Sequence, residues 1–217
     1  MREHSEYILQ LSRDLREALQ HEQLELHYQL QFDLKSLTPC GLEALIRWRD
    51  NSGTVITPDK FLPIAQTYGL MPDLNKWVLR QACLDNAKLI RDGLLDVRLE
   101  VVTKHTRALH RVGISLSMDD FGTGYSSLSR LRNLKFNKVK IDRSFVKELS
   151  ANKPGQVIIP AILGIAHALN MRVVAEGIES QTQLDWLREK GCEQGQGYWL
   201  ARPLPLDKLI TWLNTHT

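Results

Sequence analysis

The amino-acid sequence predicts an α/β fold built on a parallel sheet, and three observations support this class. Segments with strand character alternate with segments of helical spacing along the whole chain. Most of the strands are near-continuous apolar runs, as in sheets that are covered on both faces. About seven strands are expected, and a closed (β/α)8 barrel is the natural candidate for such a succession. No linker and no internal repeat divides the chain.

The first part of the chain is predicted to contain one helix, two strands, a loop and a long helical region. In order, these are a helix over 9–20, strands over 24–32 and 40–48, a loop through Gly53 and Pro58, and a helical region from 59 to about 92. Leu11, Leu15 and Leu19 recur at helical spacing, whereas "LELHYQLQF" alternates with the period of a strand.

The rest of the chain continues the alternation of strands and helices. The predicted elements are a strand over 97–103, a short helix over 104–113, a strand over 114–120, a short helix over 127–134, a strand over 138–142, a helix over 156–169, a strand over 172–178, a helix over 181–190, a last strand over 195–201 and a closing helix over 206–213. Gly113 and Gly191 end two of the helices, and Asn170 is expected to cap a third in the left-handed conformation.

Composition excludes several classes of protein. The net charge of the 217 residues is +3 and the basic residues are scattered, which argues against a nucleic-acid polymer as partner. No apolar run approaches the roughly 20 residues that span a bilayer, and the first ten residues are charged and mixed, unlike a signal peptide. The three cysteines lack a C-x-x-C spacing, which favours free thiols in a reducing cytoplasm over a disulfide or zinc site.

Charged and amide side chains interrupt or end the predicted strands. They are Glu43, Asp119, Asp120, Lys140, Glu176, Glu179 and Gln196. In a barrel the carboxyl ends of the strands meet at one face, where several carboxylates repel each other unless a cation joins them. Their oxygen atoms suit Mg²⁺, Mn²⁺ or Ca²⁺. Two such cations roughly 3.5–4 Å apart are typical of phosphoester hydrolysis, with Lys140 holding the phosphate or the water.

The two adjacent aspartates need a particular backbone to share such a site. Neighbouring residues of a regular strand point to opposite faces, so both aspartates reach the mouth only where the strand end bends. Gly122 and Gly124 would permit that bend. Ordinary alternatives remain at this point: a solvated loop for the Asp-Asp pair, a surface position for Lys140 and an edge-strand charge for Glu43.

Six sequence blocks resemble the EAL family of cyclic di-GMP phosphodiesterases. They are "GLEALIRW" (41–48), "FLPIAQTYGLM" (61–71), "DDFGTGYSSL" (119–128), "KIDRSFV" (140–146), "VVAEGIES" (173–180) and "QGYWLARPLP" (196–205). The name-giving tripeptide is Glu43-Ala44-Leu45. The blocks cover nearly the whole chain in the order and spacing of the family.

The resemblance implies a (β/α)8 TIM-like barrel over 21–217 whose first strand is antiparallel to the others, preceded by a connecting helix over 1–20. It implies hydrolysis of cyclic di-GMP to linear pGpG with two Mg²⁺ or Mn²⁺ ions. The implied metal and catalytic residues are Glu43, Asp119, Asp120, Glu176 and Lys140. Gln29, Leu45, Arg47 and Gln196 are implied to bind the dinucleotide. The loop Phe121, Gly122, Thr123 and Gly124, together with Glu179, is implied to couple the site to a homodimer contact.

The resemblance also implies a longer parent protein and a cellular location. Family habit suggests an upstream sensory or GGDEF-type domain. The expected location is the cytoplasm, or the cytoplasmic part of a membrane-anchored parent protein.

Two family motifs are absent from the sequence. No counterpart of the third strand "V-N-L-S", with its Asn ligand, is visible, and "LEVVTK" resembles "E-L-T-E-S" but has Lys104 where the second Glu, a ligand, is expected. One strand region is therefore predicted to be shortened or missing near residues 95–105. Two explanations stay open: a degenerate member that binds cyclic di-GMP or a protein partner without catalysis, or a chain that lacks a segment of an active parent enzyme.

Overall fold

The computed structural model describes residues 2–21, 23–50, 52–94, 98–100, 117–121, 138–149 and 154–216. The described helices are α1 (Arg2–Ala18), α2 (Pro58–Thr67), α3 (Met71–Arg91), α4 (Arg143–Lys147), α5 (Gly155–Ala168), α6 (Gln181–Glu189) and α7 (Leu206–His216). The described strands are β1 (Leu24–Asp33), β2 (Pro39–Arg49), β3 (Val55–Ile56), β4 (Arg98–Glu100), β5 (Ser117–Phe121), β6 (Lys138–Ile141), β7 (Arg172–Glu176), β8 (Gln194–Gln196) and β9 (Leu204–Pro205). The predicted α/β class is confirmed.

The chain forms two compact units, and strands β1 and β2 contribute to both. The first unit comprises Met1–Tyr28, Ala44–Leu94 and Leu204–Thr217. In it β2 pairs with β3, and β1 pairs with β9, both antiparallel. Its core joins the apolar face of α1, including Leu11 and Leu15, to Trp48 and Phe61. The expected division into a helix over 1–20 and a domain over 21–217 stays a prediction.

The second unit comprises Gln29–Glu43 and Leu95–Pro203. Strands β5, β6, β7 and β8 pair in parallel in that order, and β4 pairs in parallel with β2. Strand β1 pairs antiparallel with β8, through Phe32 opposite Gly195. The antiparallel first strand implied by the resemblance is therefore confirmed. The core packs Val139 and Ile141 of β6 and Val173 and Ala175 of β7 against the apolar face of α5.

Several predicted elements have different bounds in the structure: the first helix, predicted over 9–20, is Arg2–Ala18, the strand predicted over 172–178 ends at Glu176, and the closing helix, predicted over 206–213, reaches His216. The helical region over 59–92 is two helices, because the backbone leaves the right-handed helical conformation at Gly69, whose φ is +71°. The last strand, expected over 195–201, ends at Gln196. Beyond it, the amide of Trp199 donates to the carbonyl of Ile178, and the amide of Ala201 donates to Gly197, so these residues form a turn.

Other predictions are confirmed or lie outside the described residues. Asn170 follows α5 with φ +55°, as expected for a left-handed cap. The predicted helices over 104–113 and 127–134, and parts of the strands over 97–103 and 114–120, lie outside the described residues. Within the described helices, none combines the length and apolar character that crossing a bilayer requires. Of the three cysteines, Cys192 is buried, and Cys40 and Cys83 are half-buried.

Candidate active site

Lys140 lies at the centre of a buried group of side chains in the second unit. Its side chain is 1% exposed, and all four residues of β6 are buried. The ammonium contacts Oε1 of Glu43 at 2.5 Å and also pairs with Oε1 of Glu176. The alternative of a surface lysine is therefore wrong. A buried ammonium is tolerated here because two carboxylates, on β2 and β7, surround it.

Both carboxylate oxygens of Glu43 have a hydrogen-bonding partner. Oε1 pairs with Lys140, and Oε2 accepts a hydrogen bond from Nε2 of Gln196, the last residue of β8. Glu43 is buried, and β2 has paired neighbours, so the alternative of an edge-strand charge is also wrong. Glu43 is thus in direct contact with two other predicted site residues, Lys140 on β6 and Gln196 on β8.

Asp119 and Asp120 lie at an irregularity in β5. Met118 is opposite Val139 and Phe121 is opposite Ile141, so the two aspartates together face the single residue Lys140 of β6. Such a bulge places two residues against one and bends the strand. The expected bend therefore falls on the aspartates themselves, ahead of Gly122 and Gly124. The structure describes only the backbone of this pair.

Glu100 lies beside the site, although the sequence did not predict it as a site residue. It is the last residue of β4 and is the register partner of Glu43 in the parallel β2–β4 pair. The signal was present, since an acidic residue in a short apolar strand resembles the other strand-end carboxylates.

The residues expected to bind the dinucleotide have the following places. Gln29, on β1 in the second unit, is buried, and its Nε2 donates to the carbonyl oxygen of Ala201 at 3.1 Å. Leu45 and Arg47 belong to the first unit and are half-buried. The Arg47 guanidinium donates to the carbonyl oxygen of Ile46 at 2.8 Å. Their contact with a dinucleotide stays a prediction.

The residues expected to couple the site to a dimer are only partly described. Phe121 ends β5, and Gly122, Thr123 and Gly124 lie outside the described residues. Glu179 is exposed, with a carboxylate oxygen 3.8 Å from Nζ of Lys147. The Glu179 amide donates to Oε1 of Gln183, the residue that completes the capping box of α6. The coupling itself stays a prediction.

The donor atoms at this place suit a hard cation. The described side chains supply carboxylate oxygens from Glu43 and Glu176. For Asp119, Asp120 and Glu100 the structure describes the backbone register, on strands that pair with β6 and β2. Among the side chains that the structure describes, no three His, Cys, Asp or Glu residues cluster closely enough to hold a metal on their own. An oxygen-only set of this kind fits Mg²⁺ or Mn²⁺, and it lacks the thiolate or imidazole that zinc prefers.

Comparison with known proteins assigns this chain to a family. The EAL-domain family model matches residues 12–105 and 94–203. The chain belongs to the EAL-domain family. The match is divided where the third-strand motif is absent, so the EAL domain of this chain departs from the family pattern around residues 94–105, close to the region predicted to be shortened.

Alignment with relatives shows that positions present in them are missing from this chain. An uncharacterized signaling protein of Caulobacter vibrioides is 36% identical over 243 residues, which cover 93% of this chain and 30% of the relative. Since 93% of 217 residues is about 202, about 40 aligned positions of the relative have no counterpart in this EAL domain. The cyclic di-GMP phosphodiesterase NbdA of Pseudomonas aeruginosa is 37% identical over 253 residues, which cover 96% of this chain and 32% of NbdA. The chain spans about a third of the length of these relatives.

Solved structures confirm the fold. The phosphodiesterase PaMucR in complex with c-di-GMP is 33% identical, and the superposition has a TM-score of 0.84 and covers 92% of this chain and 99% of that chain. This EAL domain therefore has the TIM-like barrel fold of its family, with one strand region shortened.

Proposed function

We propose that this EAL domain hydrolyses cyclic di-GMP to linear pGpG. The observation that carries the proposal is the buried contact of Lys140 with Glu43 and Glu176, completed by Gln196. An ammonium held between two carboxylates is positioned to bind an anion or a water molecule beside an oxygen-donor cluster. The names of relatives such as NbdA and PaMucR support the choice of substrate.

In the proposed reaction a water oxygen attacks one phosphorus atom of the cyclic dinucleotide, the bond from phosphorus to the ribose 3′-oxygen breaks, and that oxygen takes up a proton. Mg²⁺ or Mn²⁺ ions would supply a hydroxide at neutral pH and neutralise the phosphate. Glu43, Glu176, Asp119 and Asp120 would hold them, and Glu100, the register partner of Glu43, is a further candidate.

The chain's own residues have distinct tasks in this proposal. Lys140 holds the attacking water or a phosphate oxygen by hydrogen bonding, while Gln196 fixes the orientation of Glu43. Gln29, Leu45 and Arg47 bind the dinucleotide.

The test is incubation with cyclic di-GMP and Mg²⁺ or Mn²⁺, with separation of the products by liquid chromatography. Linear pGpG is expected, and a Glu43→Gln variant of unchanged thermal midpoint should form far less of it. A well-folded parent chain that yields no pGpG at high protein concentration with either metal would overturn the proposal.

A second function is favoured by the shortened region. About 40 aligned positions of the Caulobacter relative are missing, and no Asn-bearing strand is visible in the sequence between 90 and 113. A chain that has lost part of the metal site binds cyclic di-GMP without cleaving it. Calorimetry with cyclic di-GMP would then show binding without turnover, and a chain that fails to bind with or without metal would exclude this function too.

We also propose a homodimer, an upstream sensory or GGDEF-type domain in the parent protein, and a cytoplasmic site of action. The relative MucR of Pseudomonas aeruginosa is named a bifunctional diguanylate cyclase and cyclic di-GMP phosphodiesterase, which supports the proposed upstream domain. The three cysteines, which lack a C-x-x-C spacing, are compatible with the proposed cytoplasmic site. Light scattering of the purified chain tests the dimer, and a monomer at every concentration contradicts it.

A further inference from the structure

A second buried lysine lies on β6, two residues before Lys140. Lys138 is buried, and alternation along the strand places both lysines on the same face. Its Nζ donates to Oε1 of Gln31, on β1, at 3.3 Å. Neither Lys138 nor Gln31 has a task in the reaction proposed above.

Gln31 continues this contact toward the active site. Gln31 is fully buried, and its Nε2 donates to Oε1 of Gln196 at 3.0 Å. Nε2 of Gln196 in turn donates to Oε2 of Glu43. Four side chains on four strands therefore form one continuous series of hydrogen bonds, which ends on a carboxylate of the site.

The series has a direction that is set at Lys138. An ammonium only donates, whereas a carboxamide accepts at its oxygen and donates at its nitrogen. Because Lys138 donates, Gln31 turns its oxygen to Lys138 and its NH₂ to Gln196. Gln196 then turns its oxygen to Gln31 and its NH₂ to Glu43. The opposite rotamer of Gln196 would bring its oxygen against the Glu43 carboxylate and leave both buried atoms without a donor.

We propose that Lys138 and Gln31 are positioning residues that hold the NH₂ of Gln196 on Glu43. Their effect on turnover rests on the proposed function, whereas the orientation of Gln196 is a property of the fold alone. Gly41 on β2 leaves room for this orientation of Gln31, because a Cβ atom at position 41 would overlap Oε1 of Gln31. Only glycine at position 41 leaves that oxygen its place beside Lys138.

The decisive variant is Gln31→Glu, which preserves size and shape. The new carboxylate still pairs with Lys138, which protects the fold, but it has no NH₂. Gln196 must then turn its own NH₂ toward residue 31 and away from Glu43. Lys138→Met should act in the same direction, because Gln31 loses the donor that fixes its orientation.

The measurement is nuclear magnetic resonance of the side-chain amide of Gln196, assigned by its disappearance in Gln196→Met. We expect Gln31→Glu to shift both proton signals of this amide and to lower kcat about tenfold, the usual scale for losing one hydrogen bond to a charged group. Gln194→Met is the matched control. Gln194 is buried on the same strand, and its Oε1 accepts no hydrogen bond from the described residues, so the Gln196 signals should stay in place.

The outcomes separate the inference from the proposed function. Unchanged Gln196 signals in a folded Gln31→Glu protein would overturn the positioning role, whatever the activity. Shifted signals support it even if the parent chain makes no pGpG, in which case the proposed function fails alone. If Lys138→Met does not fold, the Gln31→Glu variant still decides.

Discussion

Replacement of Lys140 by methionine tests the centre of the site most directly. The ammonium is the partner of Glu43 and Glu176, whose side chains are only 6% and 17% exposed. Methionine fills a similar volume but leaves two buried carboxylates without their shared cation. Removing one partner of a buried ion pair costs about 3–5 kcal/mol. Because one lysine serves two carboxylates here, we expect a loss in the upper part of this range.

Urea unfolding followed by circular dichroism measures this loss, and Mg²⁺ gives a second reading. A divalent cation can take the place of the ammonium between the carboxylates, so Mg²⁺ should stabilise Lys140→Met more than the parent chain. At a concentration about 100-fold above its dissociation constant, a ligand adds about 2.7 kcal/mol. We expect recovery of this order and no recovery of turnover, which should stay about 100- to 1,000-fold below the parent value.

Lys147→Met is the control for this experiment. Lys147 is exposed, and its 3.8 Å pair with Glu179 lies at the surface, where such pairs contribute about 0–1 kcal/mol. A Lys140→Met protein as stable as this control would refute the reasoning. An equal gain from Mg²⁺ in the parent chain and in Lys140→Met would refute the proposed exchange of ammonium for metal.

Three further predictions concern glycine and cysteine positions. Gly197→Ala should lower the free energy of unfolding in urea by about 1–3 kcal/mol, because its Cβ would overlap the backbone of Ile178. Gly164→Ala on α5, where no atom lies within 4 Å of the new Cβ, should instead raise it by about 0.5–1 kcal/mol. Equal effects of the two variants would contradict the packing argument. Burial raises the pKa of Cys192 to about 12, so at pH 8 it should react with a thiol reagent only after unfolding; rapid labelling of the folded chain, located by mass spectrometry, would count against this. Gly124→Val should lower turnover and metal affinity more than the thermal midpoint, and unchanged turnover in a folded variant would reduce the loop after Phe121 to a connector.

The sequence was informative where chemistry and position coincide. A lysine or glutamate inside an apolar strand is costly unless it has a partner, which is why Glu43, Lys140 and Glu176 were predicted to share a site. The structure brings these three into contact and excludes the surface and edge alternatives for the first two. A site for two metals also needs Asp119 and Asp120, which the register of β5 places opposite Lys140 of β6.

The sequence was less informative where polar residues follow the strand period. Gln29 and Gln31 alternate with Tyr28 and Leu30, a pattern that is typical of a strand with one solvated face. In the structure both glutamines are buried. Alternation reports which residues share a face, but it does not tell whether water or another layer of the protein covers that face. Gln31 and Lys138 were therefore not recognised as part of the site.

The end of β8 was missed for a different reason. "GQGYWLA" has strand composition throughout, yet Gly197 lies so close to the backbone of Ile178 that the chain turns there. Close backbone approach depends on a partner segment 19 residues earlier in the chain, and no local pattern of residue types encodes it. The bulge at Asp119 and Asp120 is similar, because a register shift is defined only relative to β6.

The bulge and the hydrogen-bonded series act on the site at different levels. By register, the two aspartates of β5 face Lys140, the same residue that contacts Glu43 and Glu176. Loss of Lys140 therefore leaves the two carboxylates of Glu43 and Glu176 without their shared cation. The series from Lys138 acts on only one oxygen of Glu43, through Gln196. A change there leaves the ammonium and its two carboxylates in place, which is why it should alter orientation and rate while the fold persists.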